Sequence, residues 1–287
     1  MARILIVHGI SNQFSGESEL LAAWHPALRD GLNRVGYSPT PAISECFCPF
    51  YGDIFRPEGR LGAGPIPGEE DLADANEEEI GLLAEIWVKA AESDSTVPSP
   101  SMHGETLFRF PRVAERALNA LARSKYLADY LPLQFFGDLK QVVLYLNKSD
   151  LHRKILDRVL AAIEPGTNIV IGHSLGSVIA YEAVCSKPGN IMTLLTLGSP
   201  LGIRNFVFDK LTPAPNATGV GCWPGRVRHW TNIAARGDIV AAQKQLAPLF
   251  GDHVQDVPID SGWDAHSSTR YLNTKEAGKA IARGLEL

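Results

Sequence analysis

The sequence predicts an α/β protein with a mostly parallel central sheet, helices on both faces, and a mainly helical insertion after the second strand. Short apolar runs rich in Ile, Val and Leu alternate along the chain with amphipathic segments. Helical segments of about 10–15 residues between such runs are typical of parallel strand–helix–strand units. In addition, the third run leads directly into Gly-x-Ser-x-Gly and a further helical segment, which indicates a strand-to-helix junction at the sheet edge.

The elements follow from this periodicity in chain order. Apolar, β-rich runs predict strands at 3–7, 42–51, 168–171, 191–197, 226–234 and 254–259. Apolar residues at helical spacing predict helices at 19–35, 69–92, 107–127, 135–146, 151–163, 175–186 and 273–285. Pro26 lies inside the first helix and should kink it or mark its true start. Parallel strands place the ligand site beyond their carboxyl ends, so the polar residues after each strand are the candidates.

Composition excludes several classes of protein. The 287 residues are 45% hydrophobic and 21% charged, with a net charge of −5, so neither a disordered chain nor a nucleic-acid-binding protein is expected. No apolar run approaches the ~20 residues of a membrane span, and the apolar N-terminus is too short for a signal peptide. The four scattered cysteines predict neither a zinc site nor a disulfide scaffold. We therefore expect one domain over 1–287, without a transmembrane segment, in the cytoplasm.

Residues 52–130 form the predicted insertion, an acidic and helical cap or lid. Between Asp53 and Asp94 the chain has 12 acidic against 3 basic residues, with many Gly and Pro at the flanks. A solvated acidic face explains such a segment, and so does a protein partner that binds 53–94. Aromatic and aliphatic residues near 100–140 could line an acyl-binding wall or could simply pack the cap onto the body: Phe108, Phe110, Leu127, Tyr130, Leu131, Phe135 and Phe136.

The most specific motif is Gly172-His173-Ser174-Leu175-Gly176. A serine at a sharp strand-to-helix turn is exposed as a nucleophile, and its backbone is strained. Gly172 and Gly176 remove the side chains that would crowd this turn. The helix that starts here directs free N–H groups towards the site, which favours an oxyanion. Ser174 is therefore the predicted nucleophile, and the N–H of Leu175 is one predicted oxyanion donor.

A second donor is predicted after the first strand. Gly9 allows a tight turn in Val7-His8-Gly9-Ile10, which places the N–H of Ile10 close to that of Leu175. An ordinary turn at the end of a strand would have the same sequence. We expect His8 to orient this loop rather than to titrate in catalysis.

The base and the acid are sought after Ser174 in the chain, in the order acid then histidine. Among the later histidines, His229 lies within a strand and His253 precedes the last one. His266 follows the last strand and is therefore the predicted general base. Asp238 follows the fifth strand and is the predicted acid, with Asp264 as the alternative. These three residues would act as a Ser-His-Asp triad that requires no metal or organic cofactor.

Other acids are less suitable on position. Asp209 lies in an irregular, Pro-rich stretch, and Asp260 crowds the histidine loop itself.

These motifs resemble those of the α/β-hydrolase superfamily. Val-His-Gly-Ile at 7–10 resembles the oxyanion loop of bacterial lipases and esterases, and Gly-His-Ser-Leu-Gly at 172–176 resembles their nucleophile elbow. Leu197-Gly198-Ser199-Pro200-Leu201 and the stretch from Trp230 to Asp238 resemble later segments of lipase-like members. The resemblance covers 1–51 and 165–287, while 52–130 matches no pattern of the family.

The resemblance implies a serine esterase or lipase-like hydrolase that cleaves a carboxylic ester, with a hydrophobic small-molecule or lipid ester as substrate. Thioesterase, amidase and acyltransferase activities share the acyl-enzyme step and remain open. The alternative from a different class is an interaction or effector module with weak or vestigial catalysis, which would bind a protein partner through the acidic insertion.

Overall fold

The computed structural model describes residues 3–56, 72, 74–100, 110–126, 132–187, 189–260, 262 and 264–286, with the backbone alone at 110–112 and 132. A six-stranded, all-parallel sheet forms its centre, in the order β2-β1-β3-β4-β5-β6. The strands are β1 (Ile4–Val7), β2 (Cys46–Phe47), β3 (Ile169–His173), β4 (Thr193–Leu197), β5 (His229–Ala235) and β6 (Val254–Ile259). The predicted α/β class with a parallel sheet is confirmed.

Nine helices lie within the described residues. They are α1 (Glu17–Asn33), α2 (Glu77–Ser93), α3 (Phe110–Leu121), α4 (Pro132–Asn147), α5 (Ser149–Ala162), α6 (Leu175–Ser186), α7 (Ala247–Phe250), α8 (Ser268–Leu272) and α9 (Lys275–Leu285). Among these helices, none combines the length and the apolar character that crossing a membrane requires.

Both faces of the sheet are covered because successive strand residues point to opposite sides. Ile4 and Ile6 of β1 belong to a buried cluster that includes Leu28 of α1 and Ile281 of α9. The intervening Leu5 belongs to a second cluster, which contains residues of α2 to α7. Strands buried on both faces read as continuous apolar runs, as parallel strands do.

The order of the strands determines where a site can form. The chain passes from β1 outward to β2 and returns to β3 on the other side of β1. The direction of winding therefore reverses between β1 and β3, and in sheets of this kind ligands bind at that point, beyond the carboxyl ends of the strands. The loop after β1 and the junction after β3 lie there.

Several predicted element boundaries are wrong. The expected strand 42–51 is only two residues long, because Ile43–Glu45 form a 3-10 turn in which the Glu45 carboxylate accepts the N–H of Ala42. The expected closing helix 273–285 corresponds to α9, which begins at Lys275 because the Thr274 hydroxyl caps it by accepting the N–H of Ala277. The short helix α8 before it was not predicted.

The predicted helices of the insertion and α1 also need correction. Instead of 69–92, α2 spans Glu77–Ser93, since Asn76 forms a capping box with Glu79 at its start. Of the predicted stretch before it, residues 69–71 and 73 lie outside the described residues. Instead of 107–127, α3 ends at Leu121. Pro26 does not mark the start of the first helix, because α1 continues through it.

Candidate active site

Ser174 occupies a strained turn between β3 and α6. Its backbone has φ 54° and ψ −132°, in the region of positive φ that non-glycine residues rarely adopt. The turn is held by the N–H of Ser174, which donates to the Leu197 carbonyl of β4 at 3.0 Å. It is held again by the Ser177 hydroxyl, which donates to the Ser174 carbonyl at 2.6 Å. Strain that is overdetermined in this way indicates a functional turn.

The flanking glycines leave room that no side chain could share. A β-carbon at position 172 would lie 2.5 Å from the carbonyl oxygen of Gly176. This is the crowding of the turn that the spacing of the two glycines predicts. A β-carbon at position 176 would lie 2.2 Å from the carbonyl oxygens of both Val7 and His8. Gly176 therefore also lets α6 pack directly against the end of β1.

The hydroxyl of Ser174 is buried and has no hydrogen-bond partner among the described residues. No described hydrogen bond joins it to His266. Leaving a buried polar group unpaired costs about 1–3 kcal/mol, so such groups in folded proteins call for an explanation.

The loop after β1 lies against this hydroxyl. A β-carbon at position 9 would lie 2.7 Å from Ser174 Cβ and 3.3 Å from Ser174 Oγ. Hydrogen bonds of the described chain use neither the N–H of Ile10 nor that of Leu175. Leu175 is the first residue of α6, where helical N–H groups have no intrahelical partner. Two free backbone donors therefore flank the serine.

His266 and Asp238 form a hydrogen-bonded pair. His266 Nδ1 lies 2.8 Å from Asp238 Oδ2, and the Asp238 side chain is fully buried while that of His266 is 25% exposed. The other Asp238 oxygen, Oδ1, accepts the N–H groups of Val240 at 2.9 Å and Ala241 at 3.2 Å. Because Asp238 can only accept from its protein partners, the histidine carries its proton on Nδ1 and leaves Nε2 free to act as a base.

The surroundings keep Asp238 ionised. Burial alone would raise the pKa of Asp238, but the charge of His266 and its hydrogen bond, together with the charge of Lys244, hold that pKa below its usual range. Burial lowers the pKa of Lys244, and Asp238 partly opposes this change. Lys244 also donates from Nζ to the backbone carbonyl of Asp238.

Two residues that the sequence analysis did not assign support this pair. The Tyr271 hydroxyl donates to Asp238 Oδ2 at 2.7 Å and accepts the N–H of Ala235 at 2.8 Å. His173 Nε2 donates to the His266 carbonyl at 2.8 Å, and the two rings lie 4.7 Å apart. His173 thus links the elbow directly to the histidine loop. Its position inside the serine motif was the only signal in the sequence.

Burial is the main cause of the lowered pKa values of the two histidines around the serine. It lowers the pKa of His173 to about 3, with a further contribution from His266. Burial likewise lowers the pKa of His8 to about 4. Both imidazoles are therefore neutral at pH 7.

The remaining sequence candidates lie elsewhere or have other partners. Asp264, the alternative acid, pairs with Arg270 Nε at 3.3 Å. Asp209 accepts the N–H of Asn205, and Asp260 accepts that of Gly262. His229 begins β5 and the exposed His253 precedes β6, so both lie at the amino edge.

Part of the insertion reaches the loop after β5 that carries Asp238. A β-carbon at position 237 would lie 2.2 Å from the ring of Tyr126, so the end of the described segment 110–126 packs against the residue before Asp238. Phe135 and Phe136 are buried in the apolar cluster on this face of the sheet. The other aromatic and aliphatic residues suggested for an acyl-binding wall lie outside the described side chains: Phe108, Phe110, Leu127, Tyr130 and Leu131.

Within the described ranges, no group of three His, Cys, Asp or Glu side chains is placed to hold a metal ion. Comparison with known proteins gives no match to any protein-family model and none to any curated protein. The geometry of the site therefore carries the functional argument by itself.

Proposed function

We propose that this chain is a serine hydrolase of the α/β-hydrolase type, which cleaves a carboxylic ester through an acyl-enzyme intermediate. The observation that carries the proposal is the buried, unpaired hydroxyl of Ser174 on a strained turn, beside an Asp–His pair and two free backbone donors. Among the described residues the Thr193 hydroxyl is also buried without a partner, but Ser174 combines the unpaired hydroxyl with a positive φ, which non-glycine residues rarely adopt.

In the proposed mechanism, Ser174 Oγ attacks the ester carbonyl while His266 Nε2 takes its proton. Asp238 holds the Nδ1–H tautomer and stabilises the imidazolium that forms. The N–H groups of Ile10 and Leu175 donate to the oxyanion of the tetrahedral intermediate. His266 then returns the proton to the leaving alcohol, and water hydrolyses the acyl-enzyme by the same steps.

The missing hydrogen bond between Ser174 and His266 is compatible with this mechanism. In free enzymes, catalytic hydrogen bonds are often long or poorly aligned, and they become shorter when substrate binds. His173, the residue before Ser174, donates to the His266 carbonyl, which keeps the histidine next to the turn that carries the serine.

A fluorophosphonate probe tests the proposal because it forms a covalent bond with an activated serine. We expect labelling of the wild type, none of Ser174→Ala, and strongly reduced labelling of His266→Ala. Ser186→Ala is a matched control, since Ser186 is exposed at the far end of α6, and it should label like the wild type. Equal labelling of wild type and Ser174→Ala, or no labelling and no hydrolysis of acyl esters by wild type, would refute the proposal.

A panel of esters of increasing acyl length, assayed on wild type and Ser174→Ala in parallel, identifies the preferred substrate. Thioesters and amides in the same panel separate esterase activity from thioesterase and amidase activity.

A further inference from the structure

We propose that Asn12 is a positioning residue: its side-chain amide fixes the orientation of the Gly9–Ile10 peptide so that the N–H of Ile10, and not a carbonyl, faces the oxyanion. This inference rests on the proposed hydrolase function of Ser174, since only an oxyanion at that site gives the orientation a consequence.

The amide of Asn12 bonds two successive carbonyls of the loop after β1. Its Nδ2 donates to the Gly9 carbonyl at 3.0 Å and to the Ile10 carbonyl at 2.7 Å. An amide nitrogen carries two protons, so these two bonds use its full donor capacity. Both carbonyls are therefore held on the side of the loop where Asn12 lies.

His8 fixes the same carbonyl from a second direction. The N–H of Tyr51 donates to His8 Nε2 at 3.2 Å, so the neutral ring carries its proton on Nδ1, which donates to the Gly9 carbonyl at 2.7 Å. With Asn12 as the second donor, both lone pairs of that oxygen are used. The low pKa of His8 that burial produces keeps this donor–acceptor pattern at neutral pH.

The orientation of the N–H follows from peptide geometry. In a planar trans peptide, the carbonyl and the N–H point in opposite directions. Fixing the Gly9 carbonyl on Asn12 and His8 therefore directs the Ile10 N–H to the other side of the loop. Gly9 packs against Ser174, and the free N–H belongs to the residue that follows Gly9. A flipped peptide would present an acceptor to the oxyanion.

The backbone of Asn12 is itself held in place by its neighbours. Its carbonyl accepts the N–H of Ser15 at 3.2 Å, and a β-carbon at position 52 would lie 2.3 Å from that carbonyl oxygen. Ser11, with φ 64°, donates its hydroxyl to the buried Asp138 of α4. The loop is thus packed against position 52 and bonded to α4, which fixes the position from which the Asn12 side chain extends.

The test compares Asn12→Asp with Asn12→Ala. Asp has nearly the same shape as Asn but donates nothing when ionised, and its charge would repel both carbonyl oxygens. We expect Asn12→Asp to lower kcat about 100-fold, near the loss of one oxyanion donor. Asn12→Ala should lower kcat roughly 10-fold, as for the loss of a hydrogen bond worth ~1.4 kcal/mol. KM should change by less than about twofold in both, because the donor acts in the transition state.

A residue needed only for packing would give the opposite order. If Asn12→Asp is as active as wild type, or more active than Asn12→Ala, the inference is wrong. Asn190→Asp is a matched control, because its Nδ2 donates to the Pro165 carbonyl at 2.9 Å at the amino edge of the sheet; it should keep the wild-type kcat. Affinity for a trifluoromethyl ketone, which forms an oxyanion with the serine, should fall in parallel with kcat/KM.

Crystal structures of both variants provide a readout that needs no activity. We expect the Gly9 carbonyl to turn away from residue 12 in Asn12→Asp, and an unchanged peptide there would overturn the inference. If the wild type neither hydrolyses esters nor reacts with fluorophosphonate, the proposed function fails, and the inference fails with it. An active wild type with an active Asn12→Asp variant refutes the inference alone.

Discussion

Acid should unfold this protein through two histidines that are buried without charge. His8 is 0% exposed and His173 is 8% exposed, and burial lowers their pKa values to about 4 and about 3. In the unfolded chain a histidine titrates near pH 6.5. Below that pH the unfolded state binds protons that the folded state does not, so the free energy of unfolding falls as pH falls.

The magnitude follows from these pKa values. Each histidine contributes at most 1.36 kcal/mol per pH unit, so the two together give a slope of roughly 2–3 kcal/mol per unit. Between pH 6.5 and 4.5 they should remove about 4 kcal/mol of stability, a large share of the ~5–15 kcal/mol of a typical domain. Asp238, with its lowered pKa, loses its contribution only below about pH 3.9. His152, whose pKa is raised by its hydrogen bond to Glu182, loses its contribution above pH 6.5. Burial also lowers the pKa of His229, which adds to the slope in the same direction, so substitutions are needed to assign the part that His8 and His173 contribute.

Urea denaturation at half-unit steps from pH 4.5 to 6.5 measures the slope. Gln keeps a side-chain donor but does not titrate, so His8→Gln and His173→Gln should each reduce the slope by about 1 kcal/mol per pH unit. The double variant should lose both contributions. The exposed His253 provides the control, and His253→Gln must change the slope less than either buried variant. A wild-type slope that neither buried substitution reduces would refute the reasoning.

Two further substitutions examine the acid. Asp238→Asn should keep the fold but present an amide donor to His266 Nδ1, which forces the wrong tautomer. The steady-state kcat should therefore fall roughly 10³–10⁴-fold. A near-normal kcat would exclude Asp238 as the acid. Tyr271→Phe removes the donor to Asp238 and leaves the N–H of Ala235 unpaired, so chemical denaturation should register a loss of about 1–3 kcal/mol; unchanged stability would mean that this hydroxyl is not buried and bonded as described.

The positions of the candidate residues could be inferred from the sequence because one rule links them. Polar residues just beyond the carboxyl ends of parallel strands share one edge of the sheet. Identifying β3, β5 and β6, together with the Gly-x-Ser-x-Gly motif and the chain order of a triad, selected Ser174, Asp238 and His266, even though several strand boundaries were wrong. The structure brings Asp238 and His266 into contact, and it ties His266 to the elbow through His173.

The supporting residues could not be inferred in this way. The contacts of Asn12, Tyr271 and Lys244 depend on how the connections between strands and helices run in space. Hydrophobic periodicity carries no information about those connections. Tyr271 lies just before the predicted helix 273–285, in the unpredicted helix α8, and its hydroxyl bonds Asp238 across 33 residues of chain. Likewise, the strand predicted at 42–51 failed because a local cap at Glu45 outweighed an apolar run.

Glycines near the strand ends offer a sequence signal that periodicity does not. Beyond β1, β3 and β4, a glycine lies within three residues of the strand end, and a β-carbon there would collide with a candidate site residue or with the loop beside it. At position 9 it would meet Ser174 Cβ at 2.7 Å, at 176 the His8 carbonyl at 2.2 Å, and at 198 Asp238 Oδ2 at 2.6 Å. Only glycine permits the backbone to approach a neighbouring group this closely. Neighbouring strand ends that each carry such a glycine therefore indicate where the candidate site lies, independently of its polar side chains.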